Sequence, residues 1–123
     1  MAASEHLGPQ WHQLDMYKTA KELRGYTLSD VEVEKDTLKK EGIDHEDMDI
    51  DVDSHVMDRK LSASKAKGLH SNIKSMGVLY PVSLGQGNYG VYKRGMVADG
   101  HHRIASAFNI NPNMLVPVEH QRW

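Results

Sequence analysis

A compact α+β domain with N-terminal helices is the fold class this sequence predicts, and three observations carry the prediction. Apolar residues recur at helical spacing between residues 16 and 76 and again over 101–110, whereas 79–84, 91–98 and 114–120 read as extended segments. Glycines and an Asn-Pro pair punctuate the chain where these periods change. At 123 residues, with 39% hydrophobic and 26% charged, the composition suits one soluble domain with one core.

The elements follow in order. Asp15 is placed to cap a short helix, MYKTAKELR (16–24), with Tyr17, Ala20 and Leu23 on one stripe and Gly25 as its stop. In SDVEVEKDTLKKEG (29–42), Ser29 and Glu32 stand at capping-box spacing. Its acids sit early and Lys39 and Lys40 late, which suits a helix dipole, and Gly42 ends it. Residues 43–53 have the least regular pattern, and alternating Met48, Ile50 and Val52 fit a short strand with an acidic outer face. From 54 to 76 the spacing is helical, with Val56, Met57 and Leu61 in one set and Ala66, Leu69, Ile73 and Met76 in another. Ser62, Ser64 and Gly68 divide this stretch into two helices, and Gly77 closes the second. LYPVSL (79–84) and VYKRGMVA (91–98) make neighbouring strands across the hairpin turn GQGNYG, which lacks the Gly-Lys-Ser/Thr of a phosphate-binding P-loop. HHRIASAFNI (101–110) is a helix that Asn-Pro terminates, and MLVPVEH (114–120) is a last strand.

Composition excludes several function classes. No cysteine occurs, so disulfides, thiolate nucleophiles and cysteine-based zinc sites are all ruled out. Apolar runs are too short to span a bilayer, and MAASEHLGPQW lacks a signal-peptide pattern, so a cytoplasmic protein without a membrane partner is expected. The formal charge of −2 conceals an asymmetry. Residues 30–58 carry twelve acids against three lysines, and residues 59–123 carry nine Lys and Arg against two acids. A basic second half favours an anionic ligand, while the acidic stretch reads as a solvated surface or as a cover that competes with nucleic acid for the basic half.

The most concentrated chemistry lies in VADGHHRIASAF (97–108). Gly100 permits a sharp turn and a close approach to the backbone. The free N–H groups and positive dipole of a helix start, with His101, His102 and Arg103 beside them, suit an anion and phosphate above all. Arg103 can grip phosphate oxygens in a forked geometry. The plainer reading makes Asp99 a helix cap and the histidines surface residues. A two-histidine metal site would need Asp99 as a third ligand, and adjacent helical residues point apart.

GVLYPVSLG (77–85), VADGHHRIASAF (97–108) and LVPVEH (115–120) together resemble the ParB/sulfiredoxin superfamily, whose members include ParB-like nuclease domains. The resemblance covers about residues 60–120, and the whole chain is similar to small ParB-like proteins of actinobacterial phages. It implies a single domain with a small mixed sheet, divided as an N-terminal helical and acidic segment (1–58) and a ParB-like core (59–123). It implies further that Gly100, His101, His102 and Arg103 cradle phosphate and that Gly77 and Pro81 shape a facing pocket wall. CTP, ATP or ADP with Mg2+, or a nucleic-acid backbone, are the expected ligands. Should the protein be an enzyme, phosphoryl transfer, nucleotide hydrolysis or nuclease chemistry is expected. Arg103 would then neutralise phosphate, His101 or His102 would move protons, and Asp99 or an acid from 44–58 would hold the metal. Sulfiredoxins carry a cysteine where this chain has His101, which excludes their chemistry. No helix-turn-helix follows as in partition proteins, which argues against centromere binding. Free serine kinases of the superfamily share a similar Asp-Gly-His-His-Arg run but need a further carboxylate. The rival expectation is a non-catalytic phage-type interaction protein, acting on a host protein in the host cytoplasm. A homodimer is compatible with either.

Two weaker patterns remain. Asp47, Asp49 and Asp51 alternate as in a calcium loop, but Val52 stands where glycine is needed and Asp58 where glutamate is. Tyr89, Tyr92, Lys93 and Arg94 mix aromatics with cations, a combination that can stack a base and hold a nucleic-acid backbone. Trp11 and Trp123 are open to either core packing or a partner surface.

Overall fold

The computed structural model describes residues 17–85 and 93–121. The chain forms β1 (Tyr17–Thr19), α1 (Ala20–Arg24), α2 (Ser29–Lys40), α3 (Val52–Ala66), α4 (Leu69–Met76), β2 (Val82–Gly85), β3 (Val97–Asp99), α5 (His101–Ile110) and β4 (Leu115–Gln121). The α+β expectation holds, with one mixed sheet in the order β1-β4-β2-β3. β4 runs antiparallel to β1 and parallel to β2, and β2 pairs antiparallel with β3 across a register shift between Ser83 and Leu84.

The N-terminal helix expected over 16–24 is shorter. Tyr17, Lys18 and Thr19 pair with Pro117, Val116 and Leu115 as an edge strand, so the helix begins only at Ala20. Thr19 caps it, its hydroxyl accepting from the Glu22 N–H, while the Ala20 and Lys21 amides donate to the Met114 and Pro112 carbonyls. Pairing with β4 outweighs local helical propensity there. Asp15, Trp11, Tyr89, Tyr92, Trp123 and most of the expected hairpin turn lie outside the described residues.

The second helix keeps its predicted place but not its predicted cap. Leu28 occupies the N-cap position with no side-chain hydrogen bond, and Ser29 is drawn inward, where its Oγ donates to the Ala98 carbonyl at 3.3 Å. The capping box is lost because this serine serves a tertiary contact. The short strand expected at Met48, Ile50 and Val52 is also absent. Residues 45–49 form turns, Met48 and Ile50 are exposed, and Val52 opens α3 with Asp51 as its cap. Asp51 Oδ1 accepts from the Ser54 amide, and this hydrogen bond holds its carboxyl below the ordinary range.

Among the described residues, a single core joins the two halves of the chain. Leu23, Leu28 and Val56 from the first half meet Val82, Val97 and Ile104 from the second. The boundary drawn after residue 58 falls inside α3. Gly68, in the left-handed region at φ 83°, separates α3 from α4 as the sequence predicts. On β4, Val116 and Val118 face this core while Leu115 and Glu119 point away, the period-two alternation of a sheet covered on one side. Among the described residues, no helix is long and apolar enough to cross a membrane.

α5 packs on α1, α3 and α4. Its seam with α3 uses small residues, and Ser64 of α3 and Ser106 of α5 share a short, fully buried hydroxyl–hydroxyl hydrogen bond. Replacing one serine by alanine strands its partner's hydroxyl in an apolar interface. Ser64→Ala or Ser106→Ala is expected to cost about 1–3 kcal/mol. The double variant should recover much of that loss, which chemical denaturation of the three proteins will show.

Candidate phosphate site at the start of helix α5

Gly100 determines how α5 begins. It adopts φ 101° and ψ 18°, a left-handed conformation that side chains rarely tolerate. A Cβ there would stand 2.8 Å from Val82 Cγ2, 2.8 Å from Arg103 Nη1 and 3.2 Å from the Val82 α-carbon. The helix start is therefore pressed against β2. Arg103, one turn further on, donates from Nη1 to the Pro81 carbonyl at 3.2 Å. That bond orients the guanidinium and leaves its other N–H groups for further partners.

Asp99 does not cap the helix. Gly100 is the N-cap, no side chain among the described residues caps the end, and the first turn holds no acid. The positive end of the helix dipole is thus met by no capping side chain and no first-turn acid, with Asp99 and Asp30 the carboxylates beside it. It opens on a cavity of 210 Å³. Lys67, His102 and Arg103 line this cavity with Asp99 and Gly100.

The two adjacent histidines have different fates. His101 is only 4% exposed and turns toward the start of α2. Its Nε2 accepts from the Asp30 amide at 3.4 Å and lies 3.4 Å from Ser29 Oγ, while Nδ1 lies 3.5 Å from Asp30 Oδ2. Nε2 as acceptor places the proton of the neutral ring on Nδ1, facing the carboxylate. Burial pushes the His101 pKa below its ordinary value, with the Asp30 charge opposing. His102 is half-buried and lines the cavity. Burial and the nearby Lys60 and Lys67 charges depress its pKa too.

Asp30 ties this corner together. Burial alone would raise its carboxyl, but the Lys60 hydrogen bond and the Lys60 and histidine charges more than reverse that and hold it low. The Lys60 ammonium stands 2.5 Å from Asp30 Oδ2.

Of the residues singled out in the sequence, Asp99, Gly100, His102 and Arg103 come together at one cavity, and His101 leaves it for an interhelical contact. Pro81 acts through its carbonyl on Arg103, Gly77 closes α4 at φ 76°, and neither lines that cavity. Asp44 and Glu46, from the acidic stretch, line a separate 620 Å³ cavity beside α2. Lys67 and Asp30 escaped sequence reasoning. Lys67 precedes the helix-breaking Gly68, a position that reads as a cap, and Asp30 is one of twelve acids with no local mark. Comparison of the chain with protein-family models, with curated proteins and with solved structures finds no match.

Gly100→Ala combines backbone strain with a clash against β2 and is expected to cost roughly 2–5 kcal/mol, measurable by denaturant unfolding. The depressed His101 pKa sets a second expectation. Well above pH 6.5 neither the folded nor the unfolded chain protonates this ring, and its stabilising contribution is intact. As the pH falls, the unfolded chain takes up the proton first, so stability drops until the pH passes the lowered folded value. His102 adds a change of the same sign. His101→Asn should flatten the stability–pH curve as the pH falls below 6.5, with His102 adding slope of the same sign.

Proposed function

We propose that the protein is a ParB-like domain that binds a phosphate-bearing ligand, a nucleotide or a nucleic-acid backbone, at the start of α5. One observation carries the reading. The uncapped N-terminus of a ten-residue helix opens on a cavity whose side chains include Lys67, His102 and Arg103. Amide N–H groups, an ammonium and a forked guanidinium together meet the charge and geometry of phosphate.

If the site is catalytic, phosphoryl transfer or phosphodiester hydrolysis is the reaction class this arrangement serves. Arg103 neutralises charge on the phosphate oxygens, and His102 is the imidazole placed to move a proton. His101 acts from inside the fold, holding the helix start against α2. Asp99 is the carboxylate on the cavity, and one carboxylate plus ligand phosphates is a common way to hold Mg2+. A bound Mg2+ would supply charge neutralisation at the phosphate oxygens.

A second reading, a phage-type interaction protein acting on a host protein, draws support from the exposure of Met76 (59%), Leu79 (62%) and Tyr80 (71%) just before β2. Scattered exposed apolar residues are common on any protein, so the cation-lined cavity weighs more.

Calorimetric titration with CTP, ATP, ADP, GTP and a short DNA duplex, with and without Mg2+, tests the proposal. Saturable binding by one of them is expected. It should weaken about tenfold or more in Lys67→Ala, a change at an exposed residue. Arg103→Ala should abolish it, and Arg103→Lys should restore it only in part. Affinity should rise as the pH falls from 7.5 to 6, because a bound anion favours protonated His102. Well-folded protein that binds none of these ligands overturns the proposal.

A further inference from the structure

His102 lines two cavities. On one side is the cationic cavity at the start of α5, and on the other a larger cavity of 360 Å³ between α2 and α3. The larger one is lined largely by residues before position 60, outside the stretch that resembles ParB-like domains. Its charged lining is Asp30 and Glu34 from α2 with Arg59 and Lys60 from α3, and Val56 and Ala63 add apolar surface.

The two lobes differ in charge. Around the smaller, Lys67 and Arg103 outnumber Asp99. In the larger, Lys60 stands 2.5 Å from Asp30 and Arg59 3.6 Å from Glu34, so two acids and two bases balance. A second phosphate entering there would meet two carboxylates and no net positive charge. An uncharged polar group would find both donors and acceptors, with methyl groups for the face of a ring.

Resting on the phosphate reading above, we infer that the α2–α3 cavity is a second subsite. It takes the uncharged, hydrogen-bonding organic part of a small phosphate ester whose phosphate sits at α5. Asp30, Glu34, Arg59 and Lys60 select that organic part, and His102 lies where the two parts of the ligand join. A polyanionic strand, with a charge on every unit, does not fit this alternation of cationic and balanced lobes.

The test compares inorganic phosphate, ribose 5-phosphate, adenosine and cytidine 5′-monophosphates, and a DNA duplex by calorimetry on the whole protein. The blocking variants are Ala63→Phe and Val33→Trp. Val33 is exposed on the same cavity, so it provides a check that does not disturb the core. At least one monophosphate is expected to bind about tenfold or more tighter than inorganic phosphate. Either blocking variant, folded as judged by circular dichroism, should reduce that ester to the level of phosphate and leave phosphate binding unchanged. An ester that saturates the protein where phosphate alone is too weak to measure, and is lost on blocking, equally supports the subsite. Equal binding of phosphate and esters, or esters indifferent to both blocking variants, overturns the subsite while the phosphate site stands. Duplex binding unaffected by blocking and tighter than any ester overturns it in favour of a polyanion. Failure of every ligand overturns both readings.

Discussion

The close approach of Gly100 to Val82 is the contact on which the rest of the molecule depends. With a Cβ excluded on the β2 side, α5 starts directly against the central part of the sheet. Arg103 is then within reach of the Pro81 carbonyl, and Ile104 and Ala107 are fully buried. The same geometry leaves the helix end uncapped and turned toward a cavity, where a serine or aspartate N-cap would have closed it. A packing requirement and the open, uncapped helix start thus come from one glycine.

The start of α2 is held to the same corner. The Val97 amide donates to the Thr27 carbonyl, Ser29 to the Ala98 carbonyl and the Asp30 amide to His101. Each bond joins the chain before or at the beginning of α2 to β3 or α5. The acidic stretch is therefore tied in at its helices, while Asp44, Glu46, Asp47, Asp49 and Asp51 between them stay exposed. Asp30 and Glu34 reach Lys60 and Arg59, and Asp53 reaches Arg24. Exposed pairs of this kind add little stability singly. Asp30 differs because it is half-buried and also faces His101, so its charge acts on the electrostatics of the candidate site.

Much of the fold was legible before any coordinates. The break at Gly68, the stop at Gly77 and the helix after Gly100 were visible because glycine at positive φ and the helical period are both local signals. Two of the failures share a cause. Tyr17–Thr19 has helical spacing yet joins β4, and Ser29 has a capping spacing yet bonds to Ala98. In each case a partner roughly 70 to 100 residues away competes with the local preference and wins.

The sequence by itself determined the α+β class and the position of the polar helix start with its own histidines and arginine, because composition and periodicity act through neighbours along the chain. Tertiary structure alone decided which histidine faces the cavity. His101 and His102 are adjacent and chemically identical, but a helix turns successive residues about 100° apart. One ring is therefore buried against Asp30, and the other is directed between Lys60 and Lys67. Lys67 and Asp30 were assigned to the site for the same reason, since only the folding of α2 and α3 onto α5 brings them there.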